Sequence, residues 1–150
     1  MNSIRDCMTG DHRRCDDLFV VVEQSLNQGG AGVAGNKFDD FCRATLAHFQ
    51  AEEDFLFPAF EEKTGMRMGP TQMMRLEHQQ MRALMEEGRQ ALAGGDDEGY
   101  GGAAETLLIL MQQHNMKEEN VLYPMCDEHL DDLATDLLAQ LQEAIGSQRS

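Results

Sequence analysis

The sequence predicts an all-α protein, an antiparallel up-down four-helix bundle with an additional C-terminal helix. Apolar residues recur at steps of three and four along nearly the whole chain, and strand-like alternation is absent. Glycine and proline clusters interrupt that pattern at a few places only. The third observation is an internal repeat with a step of 66 residues. His48-Phe49-Gln50-Ala51-Glu52-Glu53-Asp54-Phe55-Leu56-Phe57-Pro58 returns as His114-Asn115-Met116-Lys117-Glu118-Glu119-Asn120-Val121-Leu122-Tyr123-Pro124, and Asp11-His12 returns as Glu77-His78. One helix pair has been written twice.

The elements follow in order. His12, Cys15, Phe19, Val22 and Leu26 form the inward stripe of a first helix that begins near Thr9 to Asp11, where capping oxygens are available, and ends before Gly29-Gly30. A Gly-rich loop, Gly29 to Gly35, precedes a second helix with Phe38, Phe41, Cys42, Thr45, His48, Glu52, Phe55 and Ala59 inward and Pro58 bending or ending it. A loop around Gly65 to Gly69 leads to Pro70, suited to a first helical turn. The third helix then shows Met74, His78, Met81, Met85 and Leu92 before Gly94-Gly95. Leu107, Leu110 or Met111, His114, Glu118, Val121 and Leu122 mark the fourth, cut at Pro124, and Leu130, Leu133, Leu137, Leu141 and Ile145 mark a tail helix. The bundle is expected over about 8–126 and the C-terminal helix over about 127–146, within a single domain covering 1–150.

Composition narrows the partners. With 27 acids against 12 Lys plus Arg the formal charge is −15, which opposes nucleic acid and anionic membrane surfaces. No apolar run is long enough to span a bilayer and no signal-peptide core is visible, so a cytoplasmic location is expected. Cys7, Cys15, Cys42 and Cys126 lack CxxC spacing and read as reduced thiols; Cys15, three residues after His12, is assigned to packing. The methionines read as core filling, and His129, which lies off the repeat, reads as a surface residue.

Four histidines and two glutamates make a metal-site inventory. His48 with Glu52, and His114 with Glu118, are four apart and share a helix face, whereas Glu53 and Glu119 turn away. Depth agrees, because an antiparallel pair puts His12, His48 and Glu52 at one level, roughly 18 to 24 Å from their turn at 1.5 Å per residue. His78, His114 and Glu118 repeat the arrangement. Burial of these groups on apolar stripes is costly unless metal or partners compensate. Six ligands, His12, His48, Glu52, His78, His114 and Glu118, exceed the need of one zinc ion, and mixed imidazole and carboxylate donors favour two iron ions over manganese. Each iron is expected to take two imidazoles, one oxygen from each bridging glutamate, and an oxo or hydroxo bridge.

These residues resemble the hemerythrin-like proteins, the family of the HHE cation-binding domain, over about residues 8–126. Within it, the symmetric ligand set is most similar to the di-iron domain of bacterial iron-sulfur cluster repair and nitric-oxide-responsive proteins. Oxygen carriers of the family have a second histidine on the third helix and HxxxxD on the fourth; here Arg82 holds the first position and the fourth helix reads HxxxEE. The repair proteins also carry an amino-terminal cysteine-containing segment, whereas only Cys7 precedes the bundle here. The resemblance implies a protein of the stress response that binds or reacts with a small ligand, O2, NO or a reactive oxygen species such as peroxide. The alternatives are a di-iron peroxidase, oxidase or NO reductase served by an electron donor, and iron storage, delivery or sensing through a protein partner. Arg82 is expected to pair with Asp16, its equivalent under the repeat, or to touch an anionic ligand, and Phe57 and Tyr123 are assigned to packing that shields the metals.

Overall fold

Ser3 opens the first helix by accepting a hydrogen bond from Asp6 N–H on its hydroxyl while its own N–H donates to the Asp6 carboxylate. In this computed structural model, which describes residues 3–146, that helix is α1, Ile4–Gly29. It starts earlier than the expected Thr9 to Asp11 because Ile4 and Met8 are buried and the Asp127 carboxylate takes the N–H groups of Ile4 and Arg5. The expected Gly-rich loop shrinks to Gly30, whose φ of 74° and ψ of −166° suit glycine. The second helix, α2, runs Ala31–Ala51. His12 and His48 thus stand equally far from the reversal at Gly30.

Neither proline ends its helix. A π turn, Glu52–Leu56, follows α2 and leads straight into α3, Phe57–Thr64. Its twin, Glu118–Leu122, joins α5, Asp97–Lys117, to α6, Tyr123–His129. In each turn the closing N–H, of Phe57 or Tyr123, reaches back to the carbonyl of the glutamate five positions earlier, Glu52 or Glu118. Pro58 and Pro124 come next, where the widened turn relieves the clash a proline ring makes with the preceding helix. The extra residue also rotates the faces. Leu122 is inward as expected, but Leu56 is fully inward while Phe55 is half-buried and Val121 exposed, a correction to the expected stripes at those three positions.

Helix α4, Pro70–Ala93, and α5 form the second hairpin, α1 and α2 the first. The hairpins join through α2 on α4 and α1 on α6. After a 3₁₀ turn at Asp131–Leu133, α7, Ala134–Gly146, folds back against α2, the first π turn and α1. The described residues therefore form a helical bundle with an additional C-terminal helix and no strand, as the periodicity predicts. None of the helices among them is long and apolar enough to cross a membrane.

Two apolar clusters fill the interior. One, near the hairpin turns, gathers Phe19, Phe38, Phe41, Met81, Tyr100 and Leu107. The other gathers Ile4, Phe57, Phe60 and Leu122 with Leu130, Leu137, Leu141 and Ile145 from the tail. On α1, α4 and α5 a histidine separates the two, as His12 lies between Met8 and Cys15, His78 between Met74 and Met81, and His114 between Met111 and Leu122. His48 on α2 lies close to the same boundary, three residues before Ala51. A polar layer crosses the core.

Candidate metal centre

His12, His48, Glu52, His78, His114 and Glu118 all lie in that layer, and all are buried. Within each hairpin the imidazoles pair, with ring centroids 4.5 Å apart for His12 and His48 and 5.0 Å for His78 and His114. The glutamates connect the pairs. Glu52 Oε1 lies 3.6 Å from His48 Nε2 and 3.1 Å from His78 Nε2. Glu118 Oε1 lies 3.1 Å from His12 Nε2 and 3.2 Å from His114 Nε2. Two sets of potential ligand atoms converge, one from Glu52, His78, His114 and Glu118, the other from His12, His48 and Glu118.

The far nitrogen of each ring is committed elsewhere. Nδ1–H donates to Glu119 from His12 at 2.7 Å, to Asp11 from His48 at 2.9 Å, to Glu53 from His78 at 2.7 Å and to Glu77 from His114 at 2.7 Å. Under the repeat Asp11 matches Glu77 and Glu53 matches Glu119, so the bonds obey the same two-fold pattern as the histidines. Such carboxylates hold the ring orientation and raise its basicity toward a cation. Cations back three of them: Arg14 donates to Asp11 at 2.7 Å, Lys117 donates to Glu77, and Arg82 grips both oxygens of Glu53 at 2.9 Å. The expected Arg82–Asp16 pair is thereby replaced. Asp16 lies on α1 near Glu119, and partial desolvation by its neighbours together with that like charge raises its carboxyl despite the charge of His12.

Six carboxylates around four imidazoles demand positive charge. In the metal-free protein burial opposes charging His114, but the charges of Glu118 and Glu52 and the bond to Glu77 outweigh it and lift the imidazole to about 9. His12 and His48 are raised for the same reasons, against burial. Burial works against ionising Glu52 too, yet its histidine neighbours hold it well below the usual carboxylate range. Protons alone do not satisfy the layer. Glu52 Oε1, Glu118 Oε2 and the Nε2 atoms of His78 and His114 have no aligned hydrogen-bond partner among the described residues, although His78 Nε2 and Glu52 Oε1 are only 3.1 Å apart. Buried donor atoms facing one another at such distances suit a shared cation.

The residues that α-helical reasoning missed are Tyr123 and the outer carboxylates. Tyr123 Oη donates to Glu52 Oε2 at 2.7 Å and lies 3.0 Å from Glu118 Oε1 and 3.2 Å from Nε2 of both His12 and His48. Burial, followed by the charges of Glu118 and Glu52, pushes its phenol well above the usual value, so without a cation it stays protonated. A five-residue step is about 140° off the face of a straight helix, and only the π turn returns Tyr123 to the side of Glu118. The pairing of Asp11 with Glu77 and Glu53 with Glu119 was present in the repeat as a signal. Cys15 packs in the apolar cluster beside Phe19, burial raises its thiol, and it takes no place in either ligand set. His129 is exposed, with its ring edge-on to Phe60 at 6.1 Å.

Comparison with known families bears on the same residues. The model of the hemerythrin HHE cation-binding domain matches residues 3–126, which include both hairpins and every member of the layer. No curated protein and no solved structure matches the chain. A family match over most of the length, on a helical bundle wrapped around a buried histidine and glutamate cluster, places the molecule plainly: it belongs to the hemerythrin HHE cation-binding domain family.

Proposed function

We propose that the chain holds two iron ions, one on His12 and His48 and the other on His78 and His114, bridged by Glu52 and Glu118, and that it binds or reacts with O2, NO or a peroxide-class molecule there. The observation that carries this is the position of each glutamate, within 3.6 Å of one histidine from both pairs. A single ion has no use for two such spanning carboxylates, and the mixture of imidazole and carboxylate suits iron, with manganese second. Bound together, two irons supply adjacent redox-active Lewis-acid positions for a small ligand.

The protein supplies the rest. Asp11, Glu53, Glu77 and Glu119 keep each Nδ1 protonated and each Nε2 aimed inward. Phe49 stacks on His78 at 4.0 Å and Phe57 at 5.7 Å, and the two rings fix the plane of that imidazole. Arg82, bound to Glu53, neutralises a carboxylate instead of acting as a ligand. The test is anaerobic loading with ferrous iron, elemental analysis, and exposure to O2 or NO. Two irons per chain and a changed near-ultraviolet and visible spectrum are expected. One ion per chain, or two that leave the spectrum indifferent to both gases, overturns the reading.

A further inference from the structure

The two halves of the centre differ at one atom. Under the repeat Tyr123 matches Phe57, so the half containing His12 and His48 has a phenolic oxygen where the half containing His78 and His114 has none. That oxygen is fully buried and touches four candidate ligand atoms: Glu52 Oε2 at 2.7 Å, Glu118 Oε1 at 3.0 Å, and the Nε2 atoms of His12 and His48 at 3.2 Å each. Ligand atoms about 2.1 Å from one ion in an octahedral shell lie about 3 Å from their neighbours, and every vertex has four of them. Tyr123 Oη meets that pattern of neighbours in number and spacing.

We infer that Tyr123 is a seventh protein ligand, whose oxygen closes the shell of the ion on His12 and His48 and so directs external ligands to the ion on His78 and His114. The inference rests on the two-ion reading proposed above. Coordination breaks the phenol O–H bond, releases one proton per chain to solvent and forms one oxygen–metal bond, with no electron transferred.

The opposite half has the complementary character. His78 Nε2 and His114 Nε2 have no hydrogen-bond partner among the described residues, whereas His12 Nε2 and His48 Nε2 both have Tyr123. Phe57 cannot coordinate, and its ring lies stacked beside His78. An asymmetric pair results, one ion held by five side chains and the other by four. The π turn is what makes this possible, since it returns the residue five positions after Glu118 to the metal-facing side.

The test uses the full chain, loaded anaerobically with ferrous iron and oxidised with ferricyanide. Phenolate bound to ferric iron absorbs visible light and enhances tyrosine ring vibrations in the resonance Raman spectrum. The chain has two tyrosines, and Tyr100 lies in the apolar cluster, edge-on to Phe38 at 5.3 Å, so such a signature reports Tyr123. The wild type should show these bands and take one azide per two irons. Tyr123→Phe should keep two irons, lose the bands and take two azides. Two irons in the wild type without tyrosinate bands, or an azide stoichiometry of two before substitution, overturns the inference while leaving the binuclear centre standing. Fewer than two irons in the wild type would instead bring down the reading on which it rests. Should Tyr123→Phe fail to load iron, the wild-type Raman spectrum decides alone.

Discussion

Each nitrogen of His12 faces its own carboxylate, Nδ1 on Glu119 at 2.7 Å and Nε2 beside Glu118 at 3.1 Å. These two glutamates are adjacent in the chain, yet one is fully buried and the other half-exposed. Their division of labour is electrostatic as well as geometric, because the His12 bond is the largest influence holding the Glu119 carboxyl down. Removal of that anchor should leave the ring free to turn. Glu119→Ala is expected to weaken metal binding by about 10- to 100-fold, the usual effect of losing such a partner, while the helix content stays the same. Competition with a chromophoric chelator measures it, and an unchanged affinity would sink the role assigned to Glu119. At this scale the sequence was legible for the six inward residues, because an HxxxE step is a property of one helix. The outer carboxylates were visible as repeated letters without a role.

Among the elements, the π turns and α7 depart most from simple periodicity. The stripes through Phe55 and Val121 assumed a uniform helix; one extra residue per turn brought Leu56 inward in place of Phe55 and left Val121 outside, while Leu122 took its expected inward place. Nothing in the spacing of apolar letters distinguishes those alternatives over five residues, although the twin prolines marked where the regular helix had to yield. The tail was read with less ambiguity. Leu130, Leu137, Leu141 and Ile145 are buried in the second apolar cluster and Leu133 alone of that stripe is exposed, so α7 commits its apolar face to the bundle. Leu141→Ala should cost about 2 to 5 kcal/mol of folding stability. Urea unfolding measures that loss, and the iron count per chain should stay at the wild-type value, since α7 contributes nothing to either ligand set. A drop in iron with unchanged stability would contradict this account of the tail.

For the whole molecule, the consequence of a charged layer between two apolar clusters is a metal-free state whose stability follows pH. The folded imidazole of His114 titrates at about 9 against 6.5, so its contribution is complete below pH 6.5 and is lost as pH rises through 9. Glu53 has the opposite sign. Burial opposes its ionisation, but His78 and Arg82 hold its carboxyl at about 2 against 4.5, so its contribution is present above pH 4.5 and lost as pH falls toward 2. Thermal melts of the metal-free protein should therefore decline between pH 6.5 and 9, and again below 4.5; a flat profile across both windows would refute the assignment. The sequence by itself determined the bundle, the repeat and the level of the six inward groups, because helix rise and helix rotation tie those features to spacing within one rod. Tertiary structure alone decided that His12 shares its pocket with His48, that Asp11 and Glu119 serve rings 37 and 107 residues away, and that Tyr123 turns toward the centre. Those choices depend on how one rod is rotated against another and on where a helix widens, and both are settled by packing across the core.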